Sequence, residues 1–177
     1  MPVPDFSPGE VLTAAAMDDI GLWKIKSQTI GSAVSSQAVT SVFSSTYDHY
    51  FVTVVGGAGS TNVELRIQLG ATTTNYKYQL LYGSFANSAL AEGSTTAANI
   101  PYCGYATTNG SSALVRISNP NRAMRTTVDA PYFGPGGTNA GNVTGLIDNT
   151  TQYTDFTLVI AGGTMTGGTI TVYGWKP

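Results

Sequence analysis

Charge is scarce in this chain: Asp, Glu, Lys and Arg make up 10% of its 177 residues, against roughly 25% in a typical soluble domain. The formal net charge is −2, with no basic excess to neutralise phosphates, so nucleic acid is not expected as a partner. There is no run of like charges and no basic amphipathic stretch for a membrane surface. No apolar run approaches the ~18 residues of a membrane span, so membrane insertion is not expected. A single cysteine, Cys103, rules out an internal disulfide and with it a disulfide-built secreted scaffold. The single histidine, His49, leaves no His/Cys cluster with zinc spacing, and no acidic loop has calcium spacing. No glycine pair links a strand to a helix as a phosphate loop would. Neither a metal nor an organic cofactor is therefore expected. The opening Met1-Pro2-Val3-Pro4-Asp5-Phe6 lacks the basic and apolar regions of a secretory signal, so synthesis and folding in a cytoplasm are expected.

What the chain does have is 21 glycines and long runs of Thr, Ser and Asn. Thr, Val and Tyr suit the β-pleat, whereas Ser, Asn and Gly suit the bends. From Leu22 onward the apolar period is two. Val63, Leu65, Ile67 and Leu69 alternate with Asn62, Glu64, Arg66 and Gln68, which predicts a half-buried antiparallel strand. Phe156, Leu158 and Ile160 share one side of another. Tyr50–Val55 is apolar on both faces and should be a central strand. Tyr76, Tyr78, Leu80 and Tyr82 share a face of a fourth. Further strands are expected over 23–30, 36–43, 102–107, 113–117, 125–132 and 169–175, with turns at Gly56-Gly57, Asn109-Gly110, Asn119-Pro120, Gly134-Pro135 and Gly162-Gly163. The long connections expected near 84–100 and 133–143 fit a jelly-roll-like antiparallel β-sandwich better than an up-and-down barrel.

Residues 1–22 read differently. Three prolines make an extended lead with Phe6 as its apolar anchor. A short helix is then expected from a Thr13 cap through Ala14–Ala16 to Gly21. Such a helix is marginal alone and must pack on something. The expected organisation is an attachment arm over 1–22, with Phe6, Leu12, Met17, Ile20, Leu22 and Trp23 as docking residues, followed by a β-sandwich domain over 23–177.

Candidate chemistry is thin. Asp48 and His49 are adjacent in a strand and so point to opposite faces, which argues against a general-base pair. Cys103 lies among aromatics, as a small buried hydrophobe does. Asp129, Asp148 and Glu92 are the carboxylates from which a glycosidase pair would be drawn, yet no motif singles them out. Arg116, Arg122 and Arg125 form the densest basic feature and suit a solvated turn, an acidic neighbour or an anionic glycan. Tyr76, Tyr78 and Tyr82 suit core or subunit-interface packing, or stacking on sugar rings.

Five segments carry a family resemblance. Asp5-Phe6-Ser7-Pro8-Gly9-Glu10-Val11-Leu12-Thr13-Ala14, with the short helix expected after it, resembles the start of many bacteriophage fibre and virion structural proteins. Gly21-Leu22-Trp23-Lys24-Ile25, Phe43-Ser44-Ser45-Thr46-Tyr47-Asp48-His49-Tyr50, Gln68-Leu69-Gly70 and Thr169-Ile170-Thr171-Val172-Tyr173-Gly174-Trp175 are similar to the same group. The resemblance fades between about 84 and 150. It implies a phage particle protein with a β-sandwich head, commonly trimeric, and brings no catalytic motif. The expectation is thus a non-enzymatic virion protein: a short fibre, tail appendage, or head fibre and capsid decoration. It would contact other virion proteins and a host surface glycan. A carbohydrate-binding adhesin module and a glycan-degrading tailspike enzyme are the alternatives.

Overall fold

The computed structural model describes residues 21–175. The expected helix and the docking residues Phe6, Leu12, Met17 and Ile20 lie outside the described residues. Within them the chain is all-β and contains no helix. The strands are β1 (Leu22–Thr29), β2 (Ser36–Val39), β3 (His49–Val55), β4 (Ala58–Gly59), β5 (Val63–Leu69), β6 (Tyr76–Ser84) and β7 (Ala89–Ala97). They continue as β8 (Ile100–Thr107), β9 (Gly110–Ser118), β10 (Thr126–Phe133), β11 (Asn139–Ile147), β12 (Phe156–Ala161), β13 (Met165–Thr166) and β14 (Thr169–Trp175).

All pairings are antiparallel, and twelve strands join one curled sheet whose path runs β2-β12-β5-β8-β9-β10-β11-β6-β7. A branch leaves β9 through β3 to β14 and β1. β9 makes the branch possible. One edge pairs with β3 along its length, while the other is shared between β8 near Ser112 and β10 near Ser118. The curl brings the apolar faces together around one core. Val63, Leu65, Ile67 and Leu69 of β5 are all buried, as are Phe156, Leu158 and Ile160 of β12, in the alternation the sequence predicts. The strand predicted to be central is central: β3 lies between β14 and β9 and buries Tyr50, Val52 and Val54.

Two connections expected to be long loops contain strands. β7 runs through the first and β11 through the second, leaving tight turns at Phe85–Ser88 and Gly134–Thr138. β7 is a sheet edge, exposed along most of its length, so it carries no apolar alternation to read. In β11, Gly141 sits where a Cβ would overlap the carbonyl oxygen of Leu81 on β6. Its glycine answers to strand-to-strand approach, not to a loop. Gly57, at φ 72°, likewise leaves no room for a Cβ against the Gly167 backbone. Leu22 belongs to the sheet, not to an arm: it opens β1 opposite Trp175, and Trp23 follows opposite Gly174.

Candidate functional site

The tyrosine stripe of β6 divides. Tyr76 is fully buried. Its hydroxyl accepts from the Leu69 N–H at 2.7 Å and faces the Thr72 carbonyl at 3.2 Å, tying the start of β6 to the end of β5. Tyr76 is therefore a core residue and cannot contact a surface ligand. Tyr78 and Tyr82 are half-buried and meet aromatic residues from two other strands. Tyr78 and Tyr102 pack edge to face at 6.1 Å, Tyr102 and Tyr132 at 5.2 Å, and Tyr132 and Tyr82 at 5.8 Å.

Glu92, from β7, completes the group. Its Oε1 accepts from the Tyr78 hydroxyl at 2.9 Å and the Tyr102 hydroxyl at 2.7 Å. Burial first, and the Glu92 carboxylate second, push the Tyr78 phenol up to about 12 and raise that of Tyr102 as well. Both remain donors at any physiological pH. On β5, Glu64 is paired with Arg66, and burial outweighs that pairing to raise the Glu64 carboxyl.

A backbone irregularity delivers Tyr102 to this group. Leu65 of β5 pairs with Gly104, but Ile67 pairs with Ile100, so Pro101, Tyr102 and Cys103 all fall opposite Arg66. This bulge places Tyr102 at φ 60°, a conformation that costs a non-glycine residue about 1–3 kcal/mol. Bulges re-aim side chains at the rims of sheets, and this one joins a β8 tyrosine to Glu92 of β7. Separately, a groove of about 550 Å³ lies over the β6–β7 pairing, lined by Tyr78, Gln79, Gly93, Ser94, Thr95 and Thr96; Gln79 and Gly93 pair across the strands and turn to the face opposite Leu80 and Glu92. Sequence reasoning found Tyr78 and Tyr82. It missed Tyr102 and Tyr132, whose approach depends on the bulge and on sheet curl. Glu92 stood out only as one carboxylate among others.

The basic cluster is not a free cationic patch. Arg116 Nε meets Asp129 Oδ2 at 2.8 Å, Arg122 Nε meets Asp48 Oδ1 at 2.6 Å, and Arg125 Nε meets Asp148 Oδ1 at 2.6 Å. Lys77 also reaches Asp148, at 2.6 Å. The hydrogen bonds from Lys77 and Arg125 hold the Asp148 carboxyl below its usual range. Asp129 and Asp148 are thus engaged by cations. Asp48 and His49 do not pair: His49 Nδ1 lies 3.0 Å from Ser118 Oγ, and its ring lies 5.4 Å from the Trp175 ring. Cys103 is fully buried, and that burial pushes its thiol well above the ordinary range. Among the described residues no group of three His, Cys, Asp or Glu side chains is placed to hold a metal ion.

A second feature is the outward face of the strands β1-β14-β3-β9-β10-β11-β6-β7. Cross-strand register puts Leu22, Trp175, Val55, Leu114, Leu81 and Phe133 on this face, six of the nine exposed large hydrophobic residues. The Arg116–Asp129 pair sits near its middle. Phe51, Leu114 and Pro131 join that pair around a depression of about 130 Å³. Strands spaced about 4.8 Å apart and rising about 3.3 Å per residue give these eight strands roughly 1,000 Å² of face, enough for the ~800 Å² each partner contributes to a specific interface.

No protein-family model matches the chain, and the search of curated proteins finds no relative.

Proposed function

We propose that this chain is a non-enzymatic structural protein of a bacteriophage particle, made in the host cytoplasm and built into the virion. It assembles as a homotrimer into a short fibre, tail appendage, or head fibre and capsid decoration. The observation that supports this reading is the outward sheet face, which gathers exposed apolar side chains around a self-neutralised ion pair. A neighbouring copy packed against this face meets little net charge there and gains apolar burial. Low charge over the whole chain acts in the same direction. The curled sheet is taken, more finely, as a jelly-roll-like sandwich that begins with β1 at Leu22. The residues before Leu22 are taken as the arm that docks on a neighbouring virion protein. The virion assignment itself rests on the segments that resemble phage fibre proteins.

The test is deletion of residues 1–20. Incorporation into particles is expected to be lost while the β-domain stays folded; unchanged incorporation rejects the arm. The glycan-degrading alternative is weaker, because Asp129 and Asp148 are both held by cations. Polysaccharide cleavage that disappears in Asp129→Asn or Asp148→Asn would reinstate it.

A further inference from the structure

We infer that the end of the sheet formed by the β6–β7 and β10–β11 turns seats in the surface of a neutral, zwitterionic lipid bilayer. The inference is independent of the particle reading. Four observations carry it.

First, this end is apolar and uncharged. Residues 80–91 and 130–147 contain no Asp, Glu, Lys or Arg. Phe85, in the β6–β7 turn, is 68% exposed, the most of the nine exposed large hydrophobic residues. Leu90 is also exposed. It pairs with Tyr82 and so lies on the inner face of β7. Neither residue is among those that register places on the outward face. Leu81 and Phe133 border the turns on that face, which serves subunit joining in the proposed function, and the inference does not need them.

Second, the two turns form one surface with an uncharged depth behind it. The Phe85 N–H donates to the Thr138 carbonyl at 2.9 Å, which ties one turn to the other. Beyond Asp129, β10 pairs with β11 and no longer with β9, so β10, β11, β6 and β7 run on together to this end. Back along β7 and β10 the first charged residues are Glu92 and Asp129. At about 3.3 Å per residue, Glu92 lies about 13 Å behind Ser88 and Asp129 about 17 Å behind Gly134. An interfacial element enters a bilayer by roughly 5–10 Å, so neither charge need leave water.

Third, the backbone of the turns is satisfied from within, as a medium without hydrogen-bonding groups requires. Ser84 N–H donates to the Ser88 carbonyl at 2.9 Å and Asn87 N–H to the Ser84 carbonyl at 3.0 Å. Gly134 N–H donates to the Asn139 carbonyl at 2.9 Å and Gly137 N–H to the Gly134 carbonyl at 2.8 Å. The hydroxyls of Ser84 and Ser88 bond each other at 2.8 Å.

Fourth, charge and shape select the partner. With no lysine or arginine in either segment, nothing there attracts an anionic headgroup. Apolar side chains are exposed both at the turn and on the inner face of β7, which is a sheet edge. A fluid medium covers such a corner from all sides, whereas a flat protein partner covers one. The end enters a single leaflet and spans nothing, so the shortness of the apolar runs does not oppose it.

The experiment is flotation of the full-length protein with phosphatidylcholine vesicles at millimolar lipid, repeated with vesicles that also contain phosphatidylglycerol and in low and high salt. The protein is expected to float with phosphatidylcholine alone, with little change on adding phosphatidylglycerol or salt. Phe85→Asp is expected to weaken vesicle binding by about tenfold or more and Leu90→Ser by several-fold, with thermal unfolding near that of the parent. Phe85→Trp should retain binding, because tryptophan suits the membrane–water boundary. No flotation with phosphatidylcholine overturns the inference, as does flotation that needs phosphatidylglycerol and is lost in high salt. Vesicle binding unchanged in both Phe85→Asp and Leu90→Ser overturns it as well. If Phe85→Asp instead lowers the solution mass and leaves vesicle binding intact, this end is a contact between copies and the inference fails. None of these readouts involves particle incorporation, so this failure is distinguishable from failure of the virion reading.

Discussion

Tyr76→Phe and Tyr78→Phe remove the same atom from neighbouring positions on one face of β6, yet they should differ sharply. The Tyr76 hydroxyl is buried and accepts from the Leu69 N–H at 2.7 Å. With phenylalanine there, the Leu69 N–H at the end of β5 loses that acceptor inside the core, and the Thr72 carbonyl loses a donor. An unsatisfied buried polar group costs about 1–3 kcal/mol, so we expect a loss of about 2 kcal/mol. In a chain of this length each kcal/mol lowers Tm by about 2–4 °C, which places the shift at about 4–8 °C. The Tyr78 hydroxyl donates to a solvent-exposed carboxylate, where water can replace it. That substitution should stay within about 0.5 kcal/mol. Thermal and urea unfolding of both variants, at one fixed protein concentration, would separate them. Equal stabilities for the two variants would refute the division of the stripe into a core tyrosine and a groove tyrosine.

The remaining predictions concern pH, packing and reactivity. Asp148 has a depressed folded pKa, so its contribution is present above the ordinary Asp value of about 3.9 and is lost as pH falls through the folded value. Asp148→Asn should flatten the acid limb of the stability profile; an unaltered limb contradicts the ion-pair account. Glu64 has a raised folded pKa, so the stability it contributes in its protonated form is lost as pH rises through that value. Relative to the parent, Glu64→Gln should therefore fare better near neutrality than in acid, measured by unfolding at both. Gly141→Ala places a Cβ against the Leu81 backbone and should destabilise by about 1–3 kcal/mol in urea unfolding. Cys103 should resist a thiol reagent until the protein is denatured, and rapid labelling of the folded chain would contradict its burial.

The sheet was legible where burial on one face imposed alternation. Leu65 and Ile67 on β5, and Leu158 and Ile160 on β12, had to be apolar because their side chains fill the core, and Glu64 and Arg66 between them did not. β7 escaped because an edge strand of small residues is exposed along most of its length. β11 escaped because Gly141 looks like a loop residue until β6 is seen lying against it. The arginines were legible as a cluster but not in their pairing. Arg116 reaches across to Asp129, and Arg122 returns to Asp48, far back in the chain. The tyrosine group was half legible: a period of two marked Tyr78 and Tyr82, but the approach of Tyr102 to them and to Glu92 depends on a bulge in β8 that alternation does not encode.

The central claim is that the outward sheet face joins copies of this chain. The most direct test is the solution mass of the full-length protein by multi-angle light scattering at micromolar concentration, alongside Leu114→Arg, which puts an unpaired charge into that face. The account predicts a mass near three times the 18.4 kDa chain for the parent and a single-chain mass for the folded variant. A parent that stays a single chain, or a variant that assembles as the parent does, would contradict it.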